Sequence, residues 1–114
     1  MVVVIFEVEP LPGKAAAYFD LAATLRPQLE NRDGFISIER FESVTTPGKF
    51  VSISFWRDEA AVAAWRNVEQ HRDVQAKGRN EIFANYRIRV ASVTRDYGMN
   101  VREGAPADSR AAHA

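Results

Sequence analysis

The hydrophobic pattern changes period several times along the chain. Val2 to Val8 is rich in β-branched residues and stops at Glu9-Pro10-Leu11-Pro12-Gly13, where the prolines have no N–H for a central ladder. This predicts a first strand. From Lys14 to Asn31 the period becomes helical, with Tyr18, Leu21, Ala22, Leu25 and Leu29 recurring at spacings of three and four. Pro27 interrupts that stripe, so a kink or a tightened last turn is expected there. Arg32-Asp33-Gly34 reads as a turn. Phe35 to Ser43 and Lys49 to Trp56 then read as two strands joined through Thr45-Thr46-Pro47-Gly48. Asp58 is the expected N-cap of a second helix carrying Val62, Trp65 and Val68. Helical character is expected to resume after a break near Asn67 and to run past His71 and Gln75 to about Gly78 or beyond. Tyr86 to Tyr97 alternates as a fourth strand.

The order is β-α-β-β-α-β, which predicts an α+β, ferredoxin-like domain over residues 1–98 with an antiparallel sheet and helices on one face. After Gly98 the pattern is lost, and residues 99–114 read as a disordered tail or an arm lying on a partner.

Side chains alternate across a strand. Val2, Val4, Phe6 and Val8 therefore share one face of the first strand, and Val3 and Ile5 occupy the other. In the third strand Val51, Ile53 and Phe55 oppose Phe50, Ser52, Ser54 and Trp56. A sheet covered by helices on one side should be polar on its free side, and this one is apolar or small on both. The expectation is a homodimer in which two sheets pack face to face as an α/β barrel. The alternative is a monomer whose tail covers the sheet.

Composition narrows the function classes. The 15 basic residues balance the 15 acidic ones, which argues against a nucleic-acid or anionic-membrane binder. A transmembrane helix would need about 18 or more consecutive apolar residues, and no such run exists. The N-terminus lacks the basic start and cleavage site of a signal peptide, so a cytoplasmic location is the default expectation. With no cysteine there is no disulfide, thiolate nucleophile or cysteine-based metal site. No metal-ligand spacing of carboxylates and histidine is evident, and no phosphate-binding glycine loop.

His71 is the one histidine within the folded region, able to serve as acid, base or haem ligand. On a continuous helix His71, Gln75 and Arg79 would stack at i, i+4 and i+8 as a base, an amide and a cation. The bland reading of the same residues is a solvated surface face. Trp65 and Trp56 are either core filler or walls of a substrate cavity between helix and sheet. Phe83 and Tyr86, leading into the last strand, join them as candidate substrate-binding residues, and Asn85 is a further donor. Arg87 and Arg89 share a face and could hold a carboxylate, although cross-strand pairing with Glu39, Glu42, Glu7 or Glu9 is the simpler reading.

The run from Ser54 to Arg66 (SFWRDEAAVAAWR), followed by Glu69-Gln70-His71-Arg72 and Gly78-Arg79, resembles the antibiotic biosynthesis monooxygenase family. Pro12-Gly13, Asp33-Gly34-Phe35 and the closing Arg95-Asp96-Tyr97 fit the same resemblance, which covers roughly residues 1–98. It implies a homodimer with a pocket in each subunit, and oxidation of a small aromatic or phenolic substrate by O₂ without flavin or metal. In that reading His71 is the base or donor, Arg79 stabilises developing negative charge and Trp65 is a pocket wall. A second branch of the superfamily binds and degrades haem through a first-strand asparagine, a tryptophan and a helical histidine. Here the first-strand position is Phe6 and the Trp65–His71 spacing is shorter, which weakens that alternative. A non-catalytic ligand-binding dimer is the third reading.

Overall fold

The computed structural model describes residues 1–113, with all of their side chains except those of Glu69, Gln70 and His71. Strand β1 spans Val2–Pro10, helix α1 Ala15–Glu30, β2 Phe35–Glu42, β3 Phe50–Trp56, α2 Glu59–Arg66, α3 Glu69–Lys77 and β4 Phe83–Ser92. A five-residue π-type turn, Gly78–Ile82, joins α3 to β4, and a short helix α4 lies at Ala107–Ala112. Every pairing in the sheet is antiparallel, in the order β2-β3-β1-β4. This is the ferredoxin-like arrangement that the element order predicts.

The register puts Val4 opposite Ser54 and Val90, and Phe6 opposite Ser52 and Ile88, so these residues share the helix-covered face. Ile5 sits between Ile53 and Arg89 on the other face. In β2 the register slips between Phe35 and Ser37, leaving Ile36 as the extra residue of a bulge and 53% exposed. The bulge returns Ile38 and Arg40 to the helix side, opposite Ser54 and Ser52. β4 starts three residues before the expected Tyr86 and ends five before Tyr97. Its last pair joins Ser92 to Val2 of β1, and Val93 N–H donates to the carbonyl of Met1 at 3.0 Å.

Helix α1 runs through Pro27 to Glu30. The expected tightening follows it. Arg32 N–H reaches back to Leu29 O at 3.1 Å, and Asn31 Nδ2 takes up the Pro27 carbonyl at 2.9 Å. Asp58 caps α2 by accepting from Ala61 N–H at 2.9 Å. Gly34 adopts φ +84°, and a Cβ there would lie 2.6 Å from the Ala61 methyl, so the turn before β2 closes tightly on α2. The segment after Gly98 is held partly by Arg102, whose guanidinium donates to the carbonyls of Gly98 and Ser109, and Ala105 is buried. Among the described residues no helix is long and apolar enough to cross a membrane.

Two apolar clusters fill the helix–sheet layer. Leu29, Trp56, Ala61, Val62 and Trp65 form one, and Val8, Tyr18 and Ile82 the other. Burial of such side chains contributes about 1.5–3 kcal/mol each to folding.

Candidate active site

Residues of both clusters line one cavity of about 220 Å³ between the helices and the sheet. Its walls come from alternate residues of all four strands and from the inner faces of α1, α2 and α3, so no single segment builds it. The lining residues Ile88 and Val90 remain 45% and 44% exposed on edge strand β4, so the open side runs along that edge.

Six of the seven site residues expected from the sequence line this cavity: Trp56, Trp65, Gln75, Arg79, Phe83 and Tyr86. The seventh, His71, lies outside the residues whose side chains are described. Both tryptophans are core residues that also border the cavity. Trp56 is 2% exposed and Trp65 7%, and each has a surface on the cavity. Trp56 donates its indole N–H to Ser54 Oγ at 2.9 Å, which satisfies a buried donor without breaking the apolar wall.

The expected break lies at Asn67 and Val68, between α2 and α3. Asn67 ends α2 by turning its own amide back on the Ala63 carbonyl at 2.9 Å and accepts from Arg72. α3 then carries Gln75 to the cavity, and the π-type turn carries Arg79. Such turns insert a residue into helical register and are frequent at functional sites. The turn also needs Gly78, because a Cβ there would lie 2.5 Å from the Phe83 ring.

Two arginine–tyrosine pairs sit on the cavity wall. Arg79 Nη1 donates to Tyr86 Oη at 3.0 Å, with its guanidinium carbon 5.8 Å from the ring centroid. Arg40 Nε donates to Tyr18 Oη at 3.2 Å and also lies 5.8 Å from its partner ring. Phe6 lies between the two tyrosines, 6.5 Å from Tyr18 and 5.8 Å from Tyr86. Arg40, Tyr18, Ser52 and Ser54 are cavity residues that sequence reasoning did not single out. The one signal for Arg40 was a charge two residues after Ile38, and the bulge at Ile36 hides which face it takes.

Arg87 and Arg89 are on the opposite face. Arg89 bridges to Glu7 at 3.3 Å, so the simpler cross-strand reading holds for it. Asn85 is exposed opposite Glu9 and does not line the cavity.

Residues 1–77 match the antibiotic biosynthesis monooxygenase family. The chain belongs to that family. A jasmonate monooxygenase of Pyricularia oryzae is 42% identical over 100 residues, 88% of this chain and 46% of the relative, so the chain spans under half the length of that protein. The uncharacterized protein YqjZ of Bacillus subtilis is 27% identical over 68% of this chain and 67% of its own length. The solved structure of Rv0793 from Mycobacterium tuberculosis superposes with a TM-score of 0.76 at 20% identity, covering 85% of this chain and 98% of that one. The last likeness is one of fold. The family match ends at Lys77, so Arg79, Phe83 and Tyr86 are read from this chain's own geometry.

Proposed function

We propose that this chain is a cofactor-independent monooxygenase that oxidises a small aromatic or phenolic substrate with O₂ and works as a homodimer. The observation that supports this most is the cavity itself. It is apolar-walled, contains both tryptophans and is flanked by two guanidinium–tyrosine pairs, in a chain of this family.

A phenolic substrate with an activated methylene becomes electron-rich on losing a proton and reduces O₂ directly. One oxygen atom enters the product as a carbonyl, and the other leaves as water with the two methylene hydrogens. The protein then has to take a proton, stabilise the developing oxyanion and keep water out. Arg79, with Tyr86, supplies donors at the wall. His71 is assigned the base because it lies four residues, one helical turn, before Gln75, which lines the cavity. An engineered apolar cavity of about 150 Å³ holds one benzene, so about 220 Å³ accommodates a ring with a short substituent. That volume argues against the haem alternative, since ordinary ligand and cofactor sites run from about 300 to 1,000 Å³ and Phe6 sits among the aromatic rings at the wall.

The dimer reading rests on the second face of the sheet. Val3, Ile5, Val51, Ile53 and Phe55 are only half-buried there, and Phe41 is 45% exposed.

Oxygen uptake tests the function. Single-ring phenolic substrates, and jasmonate, after which the Pyricularia relative is named, should consume O₂ with wild-type protein. His71→Ala should lose most of that uptake, and unchanged turnover would remove His71 from the mechanism.

A further inference from the structure

We infer that the cavity selects a hydrophobic monocarboxylate, with the carboxylate held by Arg40 and Arg79 and the ring against the apolar wall. This rests on reading the cavity as the substrate site, and it adds the charge and class of what enters.

The lining is electrostatically one-sided. Among the described residues it contains Arg40, Arg66 and Arg79 and no aspartate or glutamate. Three arginines away from the cavity meet carboxylates: Arg26 pairs with Glu30, Arg57 with Asp33 and Asp58, and Arg89 with Glu7. Among the described residues Arg40 and Arg79 have no carboxylate within ion-pair distance, and their side chains donate to tyrosine hydroxyls. A neutral hydroxyl leaves each guanidinium without a carboxylate partner at the cavity wall, so a bound anion would meet two unpaired cations there. Each guanidinium carries five N–H donors, and each tyrosine that accepts from it still has its own proton to give. The tyrosines that accept from the two arginines both pack against Phe6, and all of these residues line the same cavity.

A carboxylate answers this donor set best. It offers two oxygens and about four lone-pair positions to two planar forks. A phenolate offers one oxygen, an alcohol engages a single donor without charge, and an amine is repelled.

The chain's two tryptophans both line the cavity, so intrinsic fluorescence reports directly on its contents. The probes are phenylbutyrate, phenylbutanol and phenylbutylamine, which share a ring and chain and differ in head-group charge. Phenylbutyrate should shift the emission saturably, with affinity about tenfold or more above phenylbutanol and no saturable signal from the amine. Arg40→Gln and Arg79→Gln should each weaken phenylbutyrate by about tenfold while leaving phenylbutanol within about twofold. Equal affinity for acid and alcohol, the absence of any saturable shift, or variants that weaken both probes alike would overturn the proposal. The wild-type comparison stands even where a variant fails to fold. No O₂ or turnover enters this readout. Acid-selective binding without oxygen uptake keeps the anion site and removes the oxygenase reading. Uptake with uncharged phenols and no acid preference does the reverse.

Discussion

Arg79 and Tyr86 are seven residues apart, on opposite sides of the turn that joins α3 to β4, and are tied by a 3.0 Å hydrogen bond from Nη1 to the phenolic oxygen. The bond fixes where a flexible cation sits relative to a cavity that both residues line. It is open to solvent, so its value to folding is small and its value to the site is positional.

Tyr86→Phe therefore separates the two roles. Oxygen uptake should fall about tenfold as Arg79 loses its anchor. Stability in urea should change by less than about 1 kcal/mol. A large loss of stability with retained activity would show the pair to be structural.

Ser54→Ala tests the buried indole. Ser54 and Trp56 are 6% and 2% exposed, and the serine oxygen accepts the indole N–H. Removing it strands a buried donor, at a cost of about 1–3 kcal/mol. Urea unfolding followed by fluorescence measures both the loss and any shift in tryptophan emission.

Acid should loosen the start of α2. The Ala61 N–H, and then the Arg57 guanidinium, hold the Asp58 carboxyl below its ordinary 3.8. Arg57 does the same to Asp33. A depressed carboxyl pKa contributes stability above the unfolded value and loses it as pH falls through the folded one. The melting temperature should thus decline below about pH 3.8. Asp58→Asn keeps a capping acceptor without that titration, so its melting temperature should decline less steeply over the same window, as read by circular dichroism. Parallel curves would assign the acid sensitivity elsewhere.

Phe55→Arg addresses the second sheet face. Phe55 and Ile53 are half-buried beside the exposed Phe41. Sedimentation velocity should show a wild-type dimer and a variant monomer. A monomeric wild type would leave the face to some other cover.

Much of this architecture is legible in one sequence because it follows from local periods. The alternation of Val2 to Val8 and the stripe from Tyr18 to Leu29 assign a strand and a helix, and Asp58 marks a helix start that its hydrogen bond to Ala61 bears out. Gln75 and Arg79 were readable from a helical spacing, and the tryptophans, Phe83 and Tyr86 as large aromatics at element ends, but only the fold brings them to one cavity. The ends of β4 were not readable, because they follow the pairing with β1, which joins Pro10 to Phe83 and Val2 to Ser92.

By itself the sequence determined which segments before Gly98 are strands and helices and that the sheet has two apolar faces, since periods of two and of three to four depend only on neighbouring side chains. Tertiary structure decided which face each arginine takes. The bulge at Ile36 turns Arg40 into the cavity, and the register with β1 sets Arg89 against Glu7 on the other side. One inserted residue reverses every side chain beyond it, and no local pattern says where that residue will be accommodated.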